Sequence, residues 1–177
     1  MKLNSSQAFA LPLMEEPLDK NNTMAQLHIK DFNELKTWVG KELPSGNWLT
    51  ITQEMINDFA KATQDFQWLH VDLEKIKKYS PFKKPIAHGF MSVALLSKLL
   101  MDLIAVDSST MGINYGLNKV RFPSPVLVDN QIRIQGKISH IEAYGENGIK
   151  ITWNCSVAIR DNDRPACVAE FISLMFE

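Results

Sequence analysis

A carboxylate and an imidazole share one short stretch, Thr63-Gln64-Asp65-Phe66-Gln67-Trp68-Leu69-His70-Val71-Asp72. A free aspartate is ionised at neutral pH and histidine titrates near it, so Asp65 and His70 together can hold a water molecule and move its proton. A second stretch, Ile86-Ala87-His88-Gly89, opens a long apolar run. A glycine at a helix start lets an oxygen approach free N–H groups that carry partial positive charge. One stretch can handle water and the other can bind a developing negative charge, the two requirements for hydrating an activated double bond. Asp65, His70, Asp72 and His88 are also ligand types that zinc or iron accepts. No His-x-x-x-His pair or similar helical spacing accompanies them, so no metal is expected.

Groups such as these need a scaffold, and the hydrophobic period outlines one. Residues 1–23 are polar and read as a flexible N-terminal extension, with a single domain over residues 24–177. Phe32, Leu35, Trp38 and Val39 recur at helical spacing over residues 30–39, and Gly40 is a fitting stop. Residues 48–51 read as a short strand. Thr52 then caps a helix carrying Met55, Ile56, Phe59 and Ala60, which hands over directly to the Asp65–His70 loop. Asp72 caps a further short helix that Pro81 and Pro85 end. The longest helix is expected over residues 86–104. Its apolar residues cover most of its circumference, which predicts a helix wrapped on all sides.

After residue 110 the period becomes twofold. Ile149, Ile151, Trp153, Cys155, Val157 and Ile159 alternate with polar residues, the pattern of a half-buried antiparallel strand. Residues 114–122, 131–141 and 166–176 give three more strands, with a phase slip near His140 that suggests a bulge. Turns are expected at Tyr144-Gly145-Glu146-Asn147-Gly148 and at Asp161-Asn162-Asp163-Arg164-Pro165. The fold class is α+β, an antiparallel sheet around one long helix. Such a sheet leaves an edge to be covered, so a homodimer is expected.

Composition narrows the function classes. Hydrophobic residues are 45% and charged residues 22%, an ordinary globular balance. A net charge of -1 gives no general attraction to nucleic acid or anionic lipid, so neither partner is expected. The long helix contains Ser92, Ser97, Lys98 and Asp102 and reads as a core helix, not a membrane span. The two cysteines, Cys155 and Cys167, fall in strands and read as buried apolar thiols, although pairing across neighbouring strands stays open. With no secretory signal in the first residues, the expected location is cytoplasmic.

Asp65-x-x-x-x-His70, followed by Val71-Asp72 and by Ala87-His88-Gly89, resembles the hydratase motif of the MaoC-like dehydratases, which include R-specific enoyl-CoA hydratases of the hot dog fold. The later run Ile113-Asn114-Tyr115-Gly116-Leu117-Asn118-Lys119-Val120-Arg121-Phe122-Pro123-Ser124-Pro125-Val126 is similar to the subgroup that includes nodulation protein N. Gln64 stands where the family often has glycine, Gln67 where it has asparagine and Trp68 where it has proline. The subgroup accepts Gln-Trp at the last two places.

The resemblance implies a hot dog domain that adds water to a 2-enoyl thioester, or removes it from the hydroxyacyl form. It implies Asp65 and His70 as the catalytic pair and the Gly89 N–H as donor to the thioester oxygen. Gln67, Trp68, Ser97, Asn114, Tyr115 and Arg121 are the candidate substrate-binding residues. Arg121 or the Lys83-Lys84 pair could meet coenzyme A phosphates. His88 reads as structural, because the family's catalytic role falls on the loop histidine. Coenzyme A or acyl carrier protein would enter as part of the substrate, with no separate cofactor. Two rival readings remain on this fold, an acyl-CoA thioesterase and a non-catalytic acyl-thioester binding or partner subunit.

Overall fold

The computed structural model describes residues 26–177, and the extension expected over residues 1–23 lies outside them. The chain begins with β1 (Leu27–Ile29) and α1 (Phe32–Lys36), whose Asp31 cap accepts from the Asn33 and Glu34 N–H groups. β2 (Leu49–Thr50) leads to α2 (Gln53–Thr63), where Thr52 accepts from the Met55 N–H as its spacing predicted. Two short helices follow, α3 (Trp68–Val71) and α4 (Leu73–Tyr79). Asp72 caps α4 through the Lys75 N–H, and its carboxyl is held below the usual range by that bond first. Then come α5 (Gly89–Leu103), β3 (Ile104–Val106), β4 (Met111–Arg121), β5 (Gln131–Tyr144), β6 (Gly148–Ile159) and β7 (Cys167–Phe176).

The main sheet runs β2-β5-β6-β7-β4 with every neighbour antiparallel. Its inner face carries Ile134, Ile138, Ile151, Trp153 and Phe171, and α5 lies against it through Met91, Leu96, Leu99, Leu100 and Leu103. Each large apolar side chain so buried stabilises the fold by about 1.5–3 kcal/mol before entropic costs. Trp153 is buried to its polar atom, and its Nε1–H donates to Ser173 Oγ at 2.9 Å. The register slips between Ile138 and His140, where the broken alternation predicted a bulge. This is the helix-in-sheet arrangement of the hot dog fold.

Four features depart from the sequence expectations. First, α1 stops at Lys36, short of the helix expected over residues 30–39, and Val39 bridges Ile138 instead of continuing it. Second, α5 starts at Gly89, not at residue 86. The Ala87 N–H donates to Val126 O at 2.8 Å and the Val128 N–H to Pro85 O at 2.9 Å, so the residues before Gly89 are extended chain. Ile86 and Ala87 are apolar because they pack, and apolar character alone mimicked helical period. Third, α5 is not wrapped on all sides. Phe90 and Met101 are 70% and 72% exposed, because the sheet ends at β4 and nothing in one chain covers that side. Fourth, β1 and β3 form a parallel two-stranded ribbon, Leu27 opposite Ile104, too short to leave a period.

Cys155 and Cys167 are free and buried. Burial pushes their thiols up to about 12 and about 11, so both remain protonated packing groups. Among the described residues no helix is long and apolar enough to cross a membrane.

Candidate active site

α2 ends on Gln64, whose φ of 58° is left-handed. That conformation favours glycine, which gives a physical reason for the glycine the family often carries here. Gln64 adopts it with its side-chain amide donating to Lys61 O at 2.7 Å. The reversal throws Asp65 out of the helix line. Its Oδ1 accepts from the Gln67 N–H at 3.3 Å, which folds the loop into a side-chain-closed turn and opens α3.

His70 lies in the single turn of α3 and is buried. Its backbone carbonyl accepts from Gln53 Nε2 of α2 at 2.9 Å. Its Nδ1 lies 2.7 Å from Ile86 O. A carbonyl only accepts, so Nδ1 carries the hydrogen and Nε2 is left as a bare lone pair. Burial pushes the His70 pKa below the ordinary histidine value. The Ile86 bond opposes that shift, His88 adds to it, and the Asp65 charge opposes it. A neutral imidazole with a free Nε2 is a competent proton acceptor at neutral pH.

His88 precedes the helix and is 4% exposed. Its Nε2 lies 2.9 Å from the backbone carbonyl of Asp65 and 4.0 Å from Asp65 Oδ2. Its ring stacks on His70 with centroids 3.6 Å apart and 24° between planes, and Phe59 packs tilted against it at 5.1 Å. The ligand-type atoms of Asp65, His70 and His88 all lie within 4.8 Å of one another. One water molecule, with two hydrogen bonds of about 2.8 Å each, spans that interval. A metal ion fits the arrangement less well. Two stacked imidazoles point their ring-plane lone pairs alongside one another, whereas a tetrahedral site needs them to converge.

Gly89 is the first residue of α5, and N–H groups of a first turn have no partner within their helix. Its φ is not left-handed, so glycine is needed here for space. A Cβ on Gly89 would meet the Phe122 ring at 3.0 Å. Asp65, Gln67, His70, His88, Gly89 and Ser92 line one cleft of about 690 Å³, walled by Phe59, Phe82, Phe90 and Phe122.

The remaining candidates lie elsewhere. Trp68 is half-buried in α3 and off the cleft wall. Ser97 and Asn114 bond to each other at 2.9 Å and line a second, apolar pocket of about 130 Å³ between α5 and the β4–β7 pair. Tyr115 sits in a register shift of β4, edge-on to Tyr144 at 6.1 Å. Arg121 donates to the carbonyl of Val120 at 2.7 Å. One chain therefore gathers Asp65, His70, Gly89 and Gln67 but not Trp68, Ser97, Asn114, Tyr115 or Arg121. Sequence reasoning passed over His88, Phe122 and Ser124 as cleft residues. The motif Ala87-His88-Gly89 and the run Phe122-Pro123-Ser124-Pro125 were the available signals.

Residues 34–157 match the family model described as MaoC like domain. The chain is 42% identical over 139 residues to 3-hydroxyacyl-thioester dehydratase Z of Mycobacterium tuberculosis (strain ATCC 25618 / H37Rv), covering 78% of this chain and 91% of that protein. It is 36% identical over 149 residues to Nodulation protein N of Rhizobium meliloti (strain 1021), covering 84% and 92%. Among solved structures, the Monoamine oxidase regulatory protein from Archaeoglobus fulgius superposes with a TM-score of 0.68 at 24% identity, over 86% of this chain and 98% of that one.

Proposed function

The chain belongs to the MaoC-like family of hydratases and dehydratases, and from that premise we propose that it adds water to the double bond of a 2-enoyl thioester, giving the R-3-hydroxyacyl thioester, and runs the reverse dehydration. The observation that carries the reading is the shared cleft of Asp65, His70 and the Gly89 N–H. Asp65 accepts one hydrogen of the bound water and orients it. His70 Nε2 takes the other hydrogen as the water oxygen bonds to C3. The π electrons move onto the thioester oxygen, where the Gly89 N–H and the α5 N-terminus meet the developing charge. His70 then returns its proton to C2, on the face the water entered, so one water is added and both residues are restored.

Coenzyme A or acyl carrier protein is part of the substrate, and the reading needs no metal or redox cofactor. A second copy of the chain is the expected partner. β4 ends the sheet with an open edge and exposed Met111, Ile113, Tyr115 and Leu117, which a copy would cover. Two free thiols suit a reducing, cytoplasmic setting.

The test is the absorbance of a short 2-enoyl-CoA on adding the purified protein, with free thiol followed in parallel. The conjugated double bond absorbs and its hydrate does not. Loss of absorbance without thiol release is the expected result. Thiol release would move the reading to a thioesterase. Neither signal, with coenzyme A and carrier-protein substrates alike, would leave a binding or partner subunit.

A further inference from the structure

We propose that His88 is a positioning residue for the water-handling pair, holding Asp65 through its backbone, fixing the His70 ring by stacking, and leaving the α5 N-terminus open for the substrate oxygen. The inference rests on the hydration reading and adds a residue to it.

Three observations carry it. His88 Nε2 faces the Asp65 carbonyl at 2.9 Å, so that nitrogen carries the hydrogen and donates it. The bond crosses from the start of α5 to the loop after α2 and ties Asp65 to the helix that offers Gly89. The His70 ring lies flat on the same imidazole at 3.6 Å, with Phe59 against His88 as well. His70 is thereby held by Ile86 O at one ring atom and by His88 across its face, and its Nε2 has one orientation.

The second observation concerns the other nitrogen. His88 Nδ1 is buried and has no hydrogen-bond partner among the described residues. A side chain serving packing alone would be better apolar, since an unpaired buried acceptor is destabilising. The imidazole therefore contributes something a phenyl ring cannot, and its one polar contact is with Asp65.

The third observation is what His88 leaves undone. It occupies the N-cap position of α5 but makes no side-chain cap bond. Serine, threonine or aspartate there would turn an oxygen onto the N–H groups of the first turn. Those groups are the donors that the thioester oxygen needs, beginning with Gly89. An uncapped helix start beside a glycine keeps them available.

The titratable groups that face His88 are Asp65 from the loop and His70 from α3, while α2 presents Phe59. Beside burial, the His88 ring is among the neighbours that hold the His70 pKa down. Replacing His88 is therefore expected to raise the His70 pKa and to move the acid limb of activity to higher pH.

The experiment compares His88→Phe, which keeps a ring and loses the donor, with His88→Gln, which keeps an N–H donor and loses the ring. Both are assayed with a short 2-enoyl-CoA from pH 5 to 9, alongside thermal unfolding. His88→Phe should lower kcat by roughly 30-fold or more, within the range of a misplaced catalytic group, with KM held within about threefold. His88→Gln should recover part of kcat, and both should shift the acid limb upward. Wild-type kcat in His88→Phe, or equal losses in both variants with an unmoved acid limb, would reduce His88 to packing. If neither variant folds, nitrogen NMR of the wild-type rings decides the matter. Hydrogen on Nε2 of His88 and Nδ1 of His70 is expected, and the opposite tautomer at His88 would overturn the proposal. Absence of hydration by the wild-type protein would instead overturn the function on which the proposal rests, and that outcome is read before any variant is made.

Discussion

The cleft around His70 and the apolar pocket around Ser97 lie on the same helix, yet they are built in opposite ways. In the cleft every working group is pinned from within one chain. Asp65 is turned by the Gln67 N–H and tied by His88, while His70 is held by Ile86 and Gln53. All of these residues lie between α2 and the first turn of α5. The second pocket is lined by two polar side-chain contacts, Ser97 to Asn114 and Trp153 to Ser173, and its rim includes exposed Met101 and Ile113 beside the open edge of β4. The contrast teaches that the cleft's polar groups come from one continuous stretch, from α2 to the first turn of α5, closed on itself by contacts of 16 and 23 residues' separation, whereas the pocket is left open beside the edge of β4.

The largest effect that could break the comparison is at His70. His70→Ala should lower hydration by about 10³-fold, the usual weight of a general acid–base group. Ser97→Ala removes one neutral hydrogen bond and should cost about tenfold at most, chiefly in KM or acyl preference. Comparable losses at the two positions, measured as kcat and KM on the same substrate, would erase the distinction. Gly89→Ala comes next. Its methyl would press on Phe122, so activity should fall by roughly tenfold to a hundredfold as the oxyanion donor shifts. Thermal stability should stay within about 1 kcal/mol, because alanine suits a helix better than glycine does.

Ile113→Asp tests the other region. A charge on the β4 edge that a copy would cover should weaken self-association by tenfold or more in light scattering, roughly the effect of a buried unpaired charge at its mildest. The His70 side chain should keep its ring-nitrogen NMR shifts in that variant. Loss of the His70 environment together with the dimer would show that the cleft also depends on the partner.

Much of this was legible in the sequence, and what was not has physical causes. The helix after Thr52 was announced by the helical recurrence of Met55, Ile56, Phe59 and Ala60, the helix after Asp72 by a local capping side chain, and β6 by the Ile149-to-Ile159 alternation, because one face is buried. Asp65 and His70 are paired by the resemblance of their motif to the family's, since the spacing alone is a weak signal, and they line one cleft. The His70–His88 stack was not legible, since it depends on how α3 sits against Ile86, a long-range contact. The exposure of Phe90 and Met101 was hidden for a related reason. Apolar residues left at the surface and apolar residues that face the core look alike in a single sequence.

The smallest expected effect is at Gln64. Gln64→Gly relieves a left-handed non-glycine residue at the end of α2 and should stabilise the chain by about 0.5–1 kcal/mol in denaturant unfolding, with hydration unchanged within twofold or so. A loss of activity there would mean that the Gln64–Lys61 bond helps to aim Asp65.

The most direct measurement pairs turnover with binding in Asp65→Asn. The amide keeps the size of the carboxylate and removes its charge, so it should still admit the thioester while failing to orient the water. Calorimetric affinity for a 3-hydroxyacyl-CoA should stay within about threefold of wild type, while kcat for hydration falls by about 10³-fold. Retained turnover, or affinity lost in step with turnover, would contradict the assignment of Asp65 to the water.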